Sequence, residues 1–241
     1  MEDFYSRTRI ILGDGAIEKL KNSRVILFGI GGVGGHIAEA LGRSGIGHLT
    51  LVDPDTVSVS NLNRQIVALH STLGRNKAEA MKERLEDISP DAQIEAVPVF
   101  FSPETAGQFD FTAYDYVIDA IDSMTGKVEL ARACKTAQVP LIAAMGAANK
   151  KNPAGFLVCD LSETDTCPLA RAFRRSCRKI GIEHVTVAYS KEPAEAPFSQ
   201  PPADGSRPVC GSLPWVPGAL GLTIAARVAE DLIAGAGTVP R

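Results

Sequence analysis

Short apolar runs alternate with helical patterns along the first 146 residues of the chain. Runs typical of buried strands lie at 24–30, 48–53, 94–101, 116–121 and 139–144. Apolar residues recur at helical spacing between them, over 33–44, 77–88 and 125–137. Because strands that alternate with helices are typical of βαβ units, we expect an α/β fold with a doubly wound, mainly parallel sheet.

The pattern changes after Gly146. It predicts strands over 156–160 and 185–189, a helix over 168–180 and a final helix over 217–234. Five prolines with little apolar material predict a loop over 190–208. We therefore expect a Rossmann-like core over 1–146 and an α+β extension over 147–241, the two probably sharing one continuous domain with the core.

Composition narrows the class of protein. The 241 residues are 45% hydrophobic and 22% charged, as in ordinary globular proteins, and a net charge of −3 excludes a uniformly basic nucleic-acid binder. The five cysteines include no C-x-x-C pair, so a cysteine-ligated zinc site is not expected, and reduced thiols suit a cytoplasmic protein. The late apolar stretch carries Arg227, Glu230 and Asp231, so we expect no membrane span.

A glycine-rich loop follows the first predicted strand and opens the next helix. Residues 29–34 read Gly-Ile-Gly-Gly-Val-Gly, which matches G-x-G-x-x-G. Such glycines permit a tight turn and let the backbone approach a phosphate at the helix N-terminus. Asp53 ends the next strand, where a carboxylate can accept hydrogen bonds from a ribose. The pattern predicts a nucleotide site, and both ATP and NAD satisfy it.

Polar residues after the second strand favour a triphosphate over a dinucleotide. Arg64 offers a planar donor fork for phosphate and Lys77 offers a point charge. Asn61 and Gln65 can donate neutral hydrogen bonds. Hydride transfer does not need such a cluster, so ATP is the preferred ligand.

Two carboxylates lie at the end of the fourth strand, where ligands of such sheets bind. They are Asp119 and Asp122. Mg²⁺ prefers carboxylate, water and phosphate oxygens as ligands, so Asp122 is the candidate magnesium ligand.

This ordered set of motifs resembles the adenylating domain of the ubiquitin-activating enzymes and of the enzymes that activate molybdopterin-synthase and thiazole sulfur carriers. The shared motifs are G-x-G-G-x-G at 29–34, D-x-D-x-V-x-x-S-N-L-N-R-Q at 53–65, G-x-x-K-A at 74–78 and D-A-I-D-S at 119–123. The resemblance implies ATP-dependent activation of a carboxylate as an acyl-adenylate.

The same resemblance implies roles for individual residues. It implies ATP and Mg²⁺ as cofactors, with the metal on Asp122, and leaves a bound monovalent cation open. Nucleotide contacts are implied at Gly29, Gly31, Gly32, Gly34, Asp53, Asp55, Asn61, Arg64, Gln65, Lys77 and Asp122. Arg7 corresponds to an arginine that reaches ATP from a neighbouring subunit, which requires a homodimer, and Arg9 is the alternative. Arg7, Arg64, Lys77 and Asp122 are the implied catalytic set.

The second half of the chain distinguishes branches of this family. Residues 145–150, 165–170 and 211–217 resemble the branch that dehydrates threonylcarbamoyladenosine in tRNA. That resemblance implies cyclisation of the modified adenosine, with loss of water, through an acyl-adenylate. Sulfur-carrier activators usually carry two C-x-x-C pairs, which this chain lacks. An activator of a ubiquitin-like sulfur carrier is the alternative, and an NAD-binding oxidoreductase is a third.

A basic stripe supports an RNA partner independently. Residues 168–182 contain no acid, and their cations are Arg171, Arg174, Arg175, Arg178 and Lys179. The arginine spacing i, i+3, i+4, i+7 places all four on one helical face. We predict that the stripe binds tRNA phosphates; a solvated face, or pairing with Glu163 and Asp165, is the simpler alternative.

Overall fold

The alternating pattern folds into one seven-stranded sheet. The computed structural model describes residues 3–196 and 210–235. The strands are β1 Arg24–Phe28, β2 His48–Val52, β3 Gln93–Val97, β4 Tyr116–Asp119, β5 Leu141–Ala144, β6 Phe156–Asp160 and β7 Thr186–Ser190. Their order is β3-β2-β1-β4-β5-β7-β6, and every neighbouring pair is parallel except β6 with β7. The expected doubly wound, mainly parallel sheet is confirmed.

Helices connect these strands. They are α1 Ser6–Leu12, α2 Asp14–Asn22, α3 Gly34–Ser44, α4 Lys77–Ile88, α5 Met124–Ala137, α6 Pro168–Lys179 and α7 Trp215–Ala234. Side-chain caps fix two of their N-termini: the Asn76 side chain accepts hydrogen bonds from the first turn of α4, and the Ser123 hydroxyl accepts one from Gly126 in α5. Both caps lie at the edge of the sheet where the strands end.

The strand order creates a crevice between β1 and β4. From β1 the chain adds β2 and then β3 on one side, and it returns to place β4 on the other side of β1. Phe28 and Asp119, the last residues of β1 and β4, are register partners. Ligands of open α/β sheets bind outside the carboxyl ends of the strands at such a switch point. The loops after Phe28 and Asp119 therefore form the first candidate site.

The C-terminal extension continues the sheet of the core. Its strand β7 pairs with β5, and β6 closes the edge. Helix α7 packs on α3 at very close range, since a Cβ on Gly221 would lie 2.6 Å from the Val33 carbonyl oxygen. Residues 197–208 of the expected proline-rich loop lie outside the described residues.

Two expectations about secondary structure were wrong. The third strand ends at Val97 instead of residue 101, because Pro98 has no N–H for the ladder and Val99 N turns back to the Val97 carbonyl. Helices α1 and α2 precede the first strand and were not predicted. Helix α2 buries only three residues and α1 buries none, so neither has a strong apolar pattern. Within 3–196 and 210–235, no helix is long and apolar enough to cross a membrane.

Candidate functional site

The glycine loop leaves β1 in a conformation that only glycine tolerates. Gly29 has a φ of +92°, and a Cβ there would lie 2.7 Å from the Ala120 carbonyl oxygen. A Cβ on Gly34 would lie 1.7 Å from the Gly29 carbonyl oxygen. These two glycines are therefore required by the packing of the loop against itself and against the end of β4.

Gly31 and Gly32 lie in the same loop but meet fewer of the protein's own atoms. A Cβ on Gly31 would have the Gln65 Nε2 atom as its nearest neighbour at 3.9 Å, whereas one on Gly32 would touch the Pro217 ring at 3.3 Å. Gln65 is buried, and its Oε1 atom has no hydrogen-bond partner among the described residues. An orphaned amide oxygen beside an open glycine is an arrangement that a polar ligand would complete.

Asp53 braces the loop from the end of β2. Its carboxylate is buried and accepts hydrogen bonds from Ile30 N at 2.6 Å and from Asp55 N at 2.9 Å. Burial raises the pKa of Asp53 above its ordinary value, and the two backbone donors partly offset that rise. The carboxylate thus joins the glycine loop to β2 at the crevice; ribose binding by Asp53 stays a prediction.

Lys77 begins helix α4 beside the same edge. The lysine is buried, and its Nζ lies 2.8 Å from the Asp55 carboxylate. The neighbouring Asn76 side chain donates to the carbonyls of Asp53 and Asp55, both at 3.1 Å. This network fixes the start of α4 against the end of β2 and holds an ammonium group at the crevice.

The 58–65 turn carries the other two nucleotide candidates. The side-chain oxygen of Asn61 accepts from Ser58 N at 3.1 Å, which leaves its amide N–H₂ group for another partner. Arg64 donates from one terminal nitrogen to the Ser60 carbonyl at 2.8 Å. Both side chains are therefore held by their own turn and can still donate hydrogen bonds.

The two carboxylates after β4 have different environments. Asp119 and Lys127 are both fully buried, and the Lys127 ammonium lies 3.0 Å from each Asp119 oxygen and 2.8 Å from the Ala144 carbonyl. Burial raises the pKa of Asp119, and the Lys127 charge opposes the rise. Asp119 also accepts from Ile121 N, so it shapes the turn and is not a ligand as the strand-end position suggested. Asp122 is exposed on that turn.

Lys127 is a site residue that the sequence analysis missed. Its only signal is a lysine within the otherwise apolar buried face of α5, and such a position is as common for a solvated residue. A carboxylate one helical span earlier in the chain could have indicated the pair. Over the described ranges, no cluster of three or more His, Cys, Asp or Glu side chains could hold a metal.

The structure distinguishes Arg7 from Arg9 on helix α1. Arg9 forms ion pairs with Asp3 at 2.9 Å and with Asp14 at 2.6 Å, so its guanidinium is occupied within its own chain. Arg7 is exposed. It precedes Ile10 and Ile11 by three and four residues, which places all three side chains on one face of the helix.

The basic stripe lies on α6, but one of its arginines is turned inward. Arg174 donates from one terminal nitrogen to the carbonyls of Leu161 and Thr164, at 3.0 and 2.8 Å. It lies beside the buried face of the helix and serves as a tie to the preceding loop. The exposed members are Arg171, Arg175, Arg178 and Lys179. None of these four has an ion-pair partner in the part of the chain that the structure describes.

The crevice therefore combines an open glycine loop, a buried carboxylate and cationic donors. Arg64 and Lys77 complement phosphate charge, and Asp122 can hold a divalent cation that bridges phosphate oxygens. The glycine loop also opens helix α3, whose N-terminus favours an anion.

Comparisons with known proteins agree with this geometry. A family model described as the ThiF family matches residues 5–233. A tRNA threonylcarbamoyladenosine dehydratase of Bacillus subtilis is 45% identical over 189 residues, which are 78% of this chain and 74% of that protein. The Escherichia coli protein of the same name is 40% identical over 70% of this chain and 63% of its own length.

A solved structure extends the likeness to nearly the whole chain. It is an Escherichia coli tRNA N6-threonylcarbamoyladenosine dehydratase in complex with ATP. The TM-score is 0.87 at 32% identity, and the match covers 96% of this chain and 94% of that one.

Proposed function

The chain belongs to the ThiF family, and we propose that it is an ATP-dependent enzyme that cyclises and dehydrates threonylcarbamoyladenosine in tRNA. The observation that carries the proposal is the crevice itself, in which an open glycine loop faces cationic donors and one exposed carboxylate. The whole-length likeness to an ATP-bound dehydratase of that specificity supports the choice of substrate.

In this proposal ATP lies across the carboxyl ends of β1 and β2. The backbone at Gly31 meets the phosphates, and Asp53 accepts hydrogen bonds from the ribose hydroxyls. Arg64 and Lys77 neutralise the charge that builds on the phosphates as the bond to pyrophosphate breaks. Fixed donors aimed at developing charge are typically the largest single contribution to such catalysis.

The chemistry requires two steps. A carboxylate oxygen of the modified adenosine attacks the α-phosphorus of ATP, and the bond to pyrophosphate breaks, which gives an acyl-adenylate and pyrophosphate. A nucleophile in the same side chain then attacks the acyl carbon, a ring closes and AMP leaves with the carboxylate oxygen. The nucleophile loses one proton, so the RNA loses one water overall. The attack is intramolecular, so no nucleophile from the protein is needed.

Asp122 fits the role of magnesium ligand. It is one exposed carboxylate at the crevice, and Mg²⁺ in phosphoryl-transfer sites is commonly held by one or two carboxylates together with phosphate oxygens and water. When bound, the ion withdraws charge from the phosphates. The Asp119–Lys127 pair keeps the turn that carries Asp122 in place.

A homodimer would complete the site through Arg7. Helix α1 buries no residue, and Ile10 and Ile11 are 81% and 83% exposed. An apolar helix face of this kind is stabilised when a second copy covers it. Because Arg7 lies on that face, covering it would carry the Arg7 guanidinium into the neighbouring molecule, whereas Arg9 remains tied to its own chain.

The exposed cations of α6 are the proposed tRNA contact. Arg171, Arg175, Arg178 and Lys179 point away from the protein's own carboxylates, which is expected of residues that neutralise RNA phosphates. The contact is electrostatic and does not read bases. Arg174 is left out of this surface because its guanidinium binds the 161–164 loop.

The experiment is to incubate the protein with ATP and each candidate acceptor and to measure AMP formation. We expect AMP and pyrophosphate only with tRNA that carries threonylcarbamoyladenosine. Unmodified tRNA is the matched control. Pyrophosphate exchange stimulated by a carrier protein with a Gly-Gly tail would instead support the sulfur-carrier alternative. An absorbance change with NADH and no AMP would support an oxidoreductase.

A further inference from the structure

Asn63 lies between the segment that precedes α7 and the phosphate arginine. The side-chain nitrogen of Asn63 donates to the Ser212 carbonyl at 3.1 Å. Its side-chain oxygen accepts from a terminal nitrogen of Arg64 at 2.9 Å. Ser212 belongs to residues 210–214, which we call the 210–214 segment. One exposed amide thus connects the C-terminal half of the chain to the nucleotide motif.

The 210–214 segment is held at its other side by Asn149. The side-chain oxygen of Asn149 accepts from Gly211 N at 2.7 Å, and its backbone N–H donates to the Gly211 carbonyl at 2.8 Å. Asn149 adopts a φ of +56°, a left-handed conformation that asparagine tolerates better than most residues. A continuous set of hydrogen bonds therefore runs from Asn149 through Gly211 and Ser212 to Asn63.

This set determines which edge of Arg64 is free. The terminal nitrogen that binds Asn63 also donates to the Ser60 carbonyl at 2.8 Å, so both of its hydrogens are used. For the described residues, the structure gives no partner to Nε or to the second terminal nitrogen of Arg64. These two nitrogens form the parallel donor edge that binds phosphate oxygens in a bidentate manner.

We infer that Asn63 and Asn149 are positioning residues that orient the guanidinium of Arg64 toward the ATP phosphates, so that phosphate binding depends on the 210–214 segment. The inference rests on the proposed function, since it takes ATP as the ligand of Arg64. Neither asparagine touches ATP in this account. Both act through Arg64, so their effects should disappear when Arg64 is absent.

A double-mutant cycle on ATP binding tests this dependence. Asn63→Ala, Arg64→Ala and the double variant are titrated with ATP by calorimetry. We expect Asn63→Ala to weaken ATP binding about tenfold, the usual effect of one lost hydrogen bond at a charged group. In the Arg64→Ala background we expect the added change to be less than about twofold. An equal effect in both backgrounds, or no effect of Asn63→Ala, would overturn the inference.

Asn149 supplies a second, conservative pair of variants. Asn149→Asp keeps the oxygen that accepts from Gly211 N and tolerates the left-handed φ, so we expect ATP affinity within about threefold of the wild type. Asn149→Ala loses the acceptor and should weaken ATP binding to a similar extent as Asn63→Ala, but only when Arg64 is present. Equal losses for both variants would contradict the hydrogen-bond route. Thermal melts identify any variant that weakens the fold.

The outcomes separate this inference from the proposed function. Wild-type protein that binds ATP, shows a non-additive cycle and leaves modified tRNA unchanged would refute the dehydratase proposal alone. Wild-type protein that dehydrates tRNA and shows an additive cycle would refute the positioning roles alone. Wild-type protein that does not bind ATP would refute both.

Discussion

Replacing Gly31 with alanine should remove ATP binding without harming the fold. The nearest atom to a Cβ at Gly31 is Gln65 Nε2 at 3.9 Å, and the residue does not have a left-handed φ. The protein itself therefore has room for the methyl group. Stability should stay equal or rise by about 0.4–1 kcal/mol, because alanine restricts the unfolded chain. The methyl group would, however, occupy space that a phosphate needs in order to reach the backbone N–H groups.

The expected loss follows from one charge-assisted hydrogen bond. Such a bond contributes about 1.5–3 kcal/mol, so the Kd for ATP should rise about 10- to 150-fold. Calorimetric titration measures it, and thermal unfolding checks the fold. Gly107→Ala is the matched control, since a Cβ there meets nothing within 4 Å and lies outside the crevice. Gly34→Ala should instead unfold the loop, because its Cβ would lie 1.7 Å from the Gly29 carbonyl oxygen. Wild-type ATP affinity in Gly31→Ala would refute the phosphate-loop assignment.

Three further predictions concern assembly, RNA binding and pH. Inactive Arg7→Ala and inactive Asp122→Ala proteins, mixed under conditions of subunit exchange, should regain activity through hybrid dimers, and a protein that sediments as an active monomer would contradict this. Arg175→Glu with Arg178→Glu should flatten the log–log salt dependence of tRNA binding by about 0.7–0.9 per lost phosphate contact while ATP binding is kept, and an unchanged slope would leave the stripe a solvated face. Burial raises the pKa of Asp53, so on acidification ATP affinity should fall at a higher pH than for an ordinary aspartate; the carboxylate accepts hydrogen bonds only when ionised, and the same profile in Asp53→Asn would exclude it as the cause.

Local patterns in the sequence predicted the parts of the site that depend on neighbouring residues in the chain. The glycine loop, Asp53 and the start of α4 at Lys77 all lie where strand and helix patterns placed them. Long-range pairings carried no such signal. The sequence does not indicate that Lys127 neutralises Asp119, that Asn149 holds Gly211, or that Asn63 binds the Ser212 carbonyl.

The basic stripe illustrates the same limit. Helical spacing placed four arginines on one face, but spacing alone does not specify how wide the buried face is. Arg174 lies at the boundary beside the buried Ala170 and Cys177, and it satisfies carbonyls of a loop that the sequence places ten residues earlier. Helix α1 was missed for the opposite reason, since its apolar residues face away from the core.

The central claim is that a tRNA carboxylate is activated as an acyl-adenylate and then lost as water. The most direct test uses tRNA whose threonylcarbamoyl carboxylate carries a heavy-oxygen label, incubated with the protein and ATP and analysed by mass spectrometry. We predict that the nucleoside loses one labelled water and that the label appears in AMP. An unchanged nucleoside, or label in inorganic phosphate together with ADP, would contradict the account.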